Sequence, residues 1–138
     1  VITTWLEAAS KNDYQAILFE TLKSTYAPNK VKQMKGWVPI LARLTKPKSL
    51  QNFIVQANAC LNHDSWDELK HIIAPTLVIG GGEDHIVGPN TSTQLASQIP
   101  NVQLHTYEEL GHGAFEEATD FQKRVVSFLK DNHNKKNA

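Results

Sequence analysis

Two short segments carry residues able to do acid–base chemistry. In Ile73-Ala74-Pro75-Thr76-Leu77-Val78-Ile79-Gly80-Gly81-Gly82-Glu83-Asp84, a continuous apolar run ends in three glycines and then a carboxylate. That spacing predicts a buried strand with Asp84 just past its carboxyl end, where open α/β sheets place their chemistry. The second segment is Glu108-Glu109-Leu110-Gly111-His112-Gly113-Ala114-Phe115-Glu116-Glu117, with His112 between glycines. An imidazole held by a carboxylate is a general base with a defined tautomer. A carboxylate followed by a histidine thus supplies two members of a nucleophile-activating relay. Taken singly, each residue has a plainer reading, since Asp after a glycine turn is often a turn former or helix cap and a histidine between glycines can be a loop residue. The ordered series of strand, glycines, Asp84, Gly88-Pro89, helix, strand and Gly111-His112 carries the chemical reading.

The third member is missing. The serines are Ser10, Ser24, Ser49, Ser65, Ser92, Ser97 and Ser127, and none lies between two glycines. A serine nucleophile on a strained strand-to-helix turn needs small flanking residues. Cys60, in Ala59-Cys60-Leu61, is the one thiol, and helical periodicity assigns it to an apolar face as a buried small hydrophobe.

These motifs resemble the C-terminal half of the α/β-hydrolase family, in which Asp and then His follow a Gly-Xaa-Ser-Xaa-Gly elbow along the chain. The resemblance is strongest over residues 74 to 117. It implies that His112 takes the nucleophile's proton and that Asp84 fixes the ring and stabilises the imidazolium. It also implies a helical cap (1–73), the final β-α-β-α part of the hydrolase core (74–130) with two parallel strands, and a polar tail (131–138). In such a cap, Trp37, Trp5 and Phe19 would be the substrate-facing apolar side chains, although each also suits a core. The function implied is the C-terminal portion of a serine hydrolase acting on carboxylic esters or related acyl bonds. Its nucleophile is expected upstream of Val1 or on another chain, so the isolated chain would be inactive. Other readings stay open: a non-catalytic remnant or interaction module that self-associates through an uncovered sheet edge, or a metal enzyme built from His63, Asp64, Asp84, His85 and His112. No close ligand pair at helical spacing supports the last, and neither metal nor cofactor is expected.

The elements that must position these residues follow from periodicity. Asn12 with Gln15 reads as a capping box opening a helix through Tyr14, Ile17, Leu18 and Leu22 until Pro28. A second helix carries Val31, Met34, Val38 and Leu41, bent at Gly36 and Pro39. A third has Leu50, Phe53, Ile54, Ala57 and Leu61 on one face, and Ser65 with Glu68 caps a short turn. Beyond Ala74-Pro75 the grammar alternates: a strand over 76–79, a helix from Pro89 to Gln98, a strand over 102–107, then a helix whose Phe121, Val125, Phe128 and Leu129 face the sheet. Two strands make no stable open sheet alone.

Composition excludes several classes. Lys plus Arg and Asp plus Glu are 14 each, so the chain as a whole has no surplus charge for nucleic acid or an anionic membrane, and neither partner is expected. One cysteine precludes an internal disulfide, no apolar run approaches the length of a membrane span, and no secretory signal pattern is visible, so the expected location is cytoplasmic.

Overall fold

The computed structural model describes residues 1–136, which divide into two compact units. The first, Val1–Asp64, is helical: α1 (Ile2–Ser10), α2 (Tyr14–Thr25), α3 (Pro28–Met34), a 3₁₀ turn (Lys35–Trp37), α4 (Val38–Thr45) and α5 (Gln51–Asn62). Helix α1 packs on α2 and α5, and α2 on α4. Ala8, Ala9, Ile17 and Leu50 are buried at the centre, with Trp5, Tyr14, Phe53 and Ile54 packed around them. The small Ala8 and Ala9 let neighbouring helices approach closely.

Several local expectations need correction in this unit. Asn12 does not cap α2. It sits at φ 54°, a left-handed conformation that Asn tolerates. The Asn12 N–H donates to Ala9 O and the Asp13 N–H to Ala8 O, closing the end of α1 in a Schellman arrangement. Asp13 is the cap, its Oδ1 accepting from the Ala16 N–H at 2.9 Å. The expected bent second helix is two helices, because Gly36 and Pro39 interrupt the ladder and a 3₁₀ turn joins the pieces. Leu61 and Cys60, expected on a buried face, are exposed.

The second unit begins at Ser65. A 3₁₀ segment (Trp66–His71) leads to β1 (Thr76–Gly81), then α6 (Thr91–Gln98), β2 (Val102–Tyr107), the short α7 (Ala114–Glu117) and α8 (Phe121–Lys136). The two strands are parallel neighbours, in register from Thr76 opposite Val102 to Gly81 opposite Tyr107. Val78, Ala96 and Ile99 form the buried centre where α6 covers the strands, and Leu69, Ile72, Leu95 and Val102 pack against it. Leu69 and Ile72 therefore belong with the strand unit, although they precede the Ala74-Pro75 change of pattern.

Pro89 precedes the N-cap of α6, Asn90, and does not occupy its first turn. Phe121, Val125 and Phe128 of α8 are half-buried, but Leu129 is exposed. Helix α8 runs through Asp131 to Lys136, where a polar tail was expected; the last two residues of that tail lie outside the described residues. No helix among the described residues is long and apolar enough to cross a membrane.

Candidate active site

The parallel register brings the carboxyl ends of β1 and β2 level, and the loops leaving them touch. The Gly82 N–H donates to Tyr107 O at 2.9 Å, and the Glu83 N–H to Leu110 O at 2.9 Å. This approach depends on missing side chains. A Cβ on Gly81 would overlap the carbonyl oxygens of Leu110 and Gly111, and one on Gly82 would overlap the backbone of Glu108. Glycine is thus required where the two loops cross.

The crossing sets Asp84 beside His112, and each carboxylate oxygen has its own task. Oδ1 accepts from the backbone N–H groups of Ile86 at 2.8 Å and Val87 at 3.1 Å, folding the loop around the side chain. Oδ2 lies 2.8 Å from His112 Nδ1. An ionised carboxylate only accepts, so the proton of a neutral ring sits on Nδ1 and Nε2 keeps its lone pair. Among the described residues Asp84 is the only hydrogen-bond partner of the His112 ring. The Asp84 side chain is 8% exposed and that of His112 42%. A buried acid therefore orients an accessible base.

A second cluster, which sequence reasoning missed, lies on the same unit. The Tyr107 hydroxyl donates to Asp120 Oδ1 at 2.7 Å, and Arg124 Nη2 donates to Asp120 Oδ2 at 2.6 Å. Arg124 also lies over the Tyr107 ring, 5.9 Å from its centroid, and the His105 ring meets that ring edge-on at 4.5 Å. Burial first, then the bond to Asp120, raises the Tyr107 hydroxyl above its ordinary pKa. The hydrogen bonds from Tyr107 and then Arg124 lower that of Asp120. The one local signal was the Asp120–Arg124 spacing of four residues on a helix.

The other candidates are scattered. Trp5 packs edge-to-face on Phe53 in the helical core, with centroids 6.2 Å apart, whereas Phe19 and Trp37 are exposed on that unit's surface. His85 faces Glu83 at 3.8 Å on the surface. Among the described residues no three His, Cys, Asp or Glu side chains group as metal ligands.

With this geometry established, similarity to known proteins is specific at the level of family. The sequence profile described as "alpha/beta hydrolase fold" matches residues 4–119. A 2-hydroxy-6-oxononadienedioate/2-hydroxy-6-oxononatrienedioate hydrolase from Cupriavidus pinatubonensis is 38% identical over 89 residues, 62% of this chain and 31% of that protein. A 2-hydroxy-6-oxo-6-phenylhexa-2,4-dienoate hydrolase from Burkholderia cepacia is 34% identical over 87 residues, 60% of this chain and 30% of that one. Among solved structures, an alpha/beta hydrolase enzyme from a Medee basin deep-sea metagenome library superposes with a TM-score of 0.82 at 24% identity, covering 94% of this chain and 49% of that chain. The esterase from Exiguobacterium antarcticum gives 0.76 at 24% identity, covering 94% and 47%. The matches therefore span about a third of the curated relatives and about half of the solved structures.

Proposed function

The chain belongs to the α/β-hydrolase family, and from that premise we propose that Asp84 and His112 are the acid and base of a serine hydrolase whose nucleophile lies outside these residues. The observation that carries the proposal is the 2.8 Å contact from His112 Nδ1 to Asp84 Oδ2, on a ring whose side chain is 42% exposed and has no other hydrogen-bond partner among the described residues. In this reading Nε2 takes the proton from an attacking serine hydroxyl as its oxygen bonds to a substrate carbonyl carbon. The imidazolium, stabilised by Asp84, then protonates the leaving group, and water repeats the cycle to release the acid.

The substrate carries an electrophilic carbonyl. An ester provides one. So does the 6-oxo group in the names of the curated relatives. Residues 1–73 correspond to the helical cap region of such an enzyme, and residues 74–130 supply the last two strands of its core. The isolated chain, lacking both the attacking oxygen and the elbow's backbone donor, has no triad turnover.

In a complete hydrolase carrying these residues, His112→Ala is expected to reduce hydrolysis of an activated ester and of a 2-hydroxy-6-oxo-dienoate to the level of the uncatalysed reaction. Retained turnover of either would remove His112 from the mechanism.

A further inference from the structure

Tyr107 is the last residue of β2, and three anchors converge on it. Its carbonyl accepts from the Gly82 N–H at 2.9 Å, which holds the loop of Asp84, and from the Leu110 N–H at 3.1 Å, which holds the loop of His112. Its hydroxyl donates to Asp120 Oδ1 at 2.7 Å, thirteen residues further along the chain.

The segment between those two ends carries His112. Its backbone bonds advance in short steps, from the Ala114 N–H to Gly111 O, the Glu117 N–H to Gly113 O and the Ala118 N–H to Ala114 O. Steps of three or four residues shape each turn without fixing where the whole segment lies. The bond from Tyr107 to Asp120 closes that segment at its neck, as the ends of a compact loop are closed. A loop pinned at both ends leaves fewer positions open to its middle than one tethered at a single end.

Arg124 holds the acceptor in place for this bond. Its Nη2 donates to Asp120 Oδ2 at 2.6 Å and its backbone N–H to Asp120 O at 2.9 Å, so Oδ1 is presented to the tyrosine. Its Nε donates to the Tyr107 oxygen at 3.4 Å, which leaves the hydroxyl proton to Asp120. An acid and a base four residues apart would stabilise a helix start without any tyrosine. The hydroxyl is what joins that pair to the strand end.

We propose that Tyr107, through its hydroxyl, is a positioning residue for His112: by clamping residues 108–119 between β2 and α8 it keeps the imidazole against Asp84. Every contact involved lies within the strand unit. The inference rests on the reading of His112 as the base, but its test observes the ring itself; failure of that reading would appear in the turnover of His112→Ala and not in this measurement.

The test follows the His112 ring nitrogens and the backbone amides of the full chain by nuclear magnetic resonance. In Tyr107→Phe the His112 Nδ1 proton and the Leu110 amide should exchange with water roughly fivefold faster, the contribution of one hydrogen bond of ordinary net strength. The Thr76 amide, bonded to Asn101 O at the far end of β1, should exchange as before. Asp120→Ala should reproduce the effect from the other side of the bond, while Asp120→Asn, which keeps an oxygen for the hydroxyl, should restore most of the protection. Ile99→Val, which trims a buried side chain under α6, should lower overall stability and leave the ring unchanged. In a complete hydrolase Tyr107→Phe should lower kcat several-fold at constant KM. Exchange at Nδ1 and Leu110 equal to that of the unsubstituted chain overturns the proposal, as does an equal rise at Thr76, which would make the bond a general stabiliser. Should Tyr107→Phe not fold, an unaltered ring in Asp120→Ala overturns it alone.

Discussion

Asp84→Asn and Asp84→Ala should separate the two tasks of this side chain, one structural and one electronic. Oδ1 accepts two backbone N–H bonds, from Ile86 and Val87, and Oδ2 alone meets the imidazole. Asparagine retains an oxygen for the two N–H groups, so its amide nitrogen is turned toward His112 Nδ1. Two donors cannot face each other, and the ring must move its proton to Nε2. Alanine removes the acceptor altogether. Hydrogen bonds to a charged group contribute about 1.5–3 kcal/mol each, and Val87 is half open to solvent, which recovers part of the loss. The expected destabilisation is therefore about 2–4 kcal/mol for Asp84→Ala and about 1 kcal/mol for Asp84→Asn. Chemical denaturation measures the first quantity, and nitrogen chemical shifts of the histidine ring report the tautomer directly. In a complete hydrolase, the wrong tautomer should lower kcat by about 10⁴-fold, since Nε2 could no longer accept a proton. An Asp84→Asn ring that keeps its proton on Nδ1, or two variants of equal stability, would refute the division of labour between the two oxygens.

Three other consequences can be measured on the chain itself. The hydrogen bonds from Tyr107 and Arg124 that lower the Asp120 carboxyl contribute stability above the ordinary carboxylate range and lose it as pH falls through the lower folded value. Asp120→Asn should therefore flatten the acid limb of the stability–pH curve below about pH 4, and identical limbs would remove this pair from the account. Gly82→Ala forces a Cβ into the Glu108 backbone and should cost about 1–3 kcal/mol, whereas a Cβ on Gly36 meets nothing within 4 Å; comparable melting shifts for the two would contradict the loop-crossing argument. Cys60 is exposed, so an aromatic disulfide reagent should label it in the folded chain as fast as in denaturant, and protection until unfolding would show the thiol to be covered.

The strand unit was more legible than the helical one, for physical reasons. An apolar run over 76–79, a glycine turn and a second run over 102–107 announce strands through local chemistry, and the placing of Asp84 after the first run and His112 after the second implied their meeting. A helical stripe, by contrast, tells which side of a helix is buried but not how far along its axis a neighbour reaches. Leu50, Phe53, Ile54 and Ala57 of the α5 stripe are covered, while Cys60 and Leu61, a turn further on, are not. The Asn12 error has another cause: a side chain able to cap a helix can also adopt the left-handed turn that ends the preceding one. Elongating an existing helix adds a hydrogen bond for each residue fixed, which carries α8 through the polar stretch from Asp131 to Lys136 once Phe121 to Phe128 have established it. The Tyr107–Asp120–Arg124 cluster joins a strand end to a later helix, and no local pattern encodes such a contact.

Tyr107 also explains how the Asp84–His112 pair is assembled within the strand unit. Its carbonyl accepts from both the Gly82 and the Leu110 N–H groups, and so ties the acid-bearing loop and the base-bearing loop to one point at the end of β2. Its hydroxyl meanwhile grips Asp120 at the start of α8. The separation of Asp84 from His112 is consequently set by short-range bonds within the two-strand unit. A nucleophile entering from elsewhere would have to be positioned against this pair, and would not be needed to assemble it. The geometry of the Asp84–His112 pair is then held within the strand unit, by Gly81, Gly82 and Tyr107.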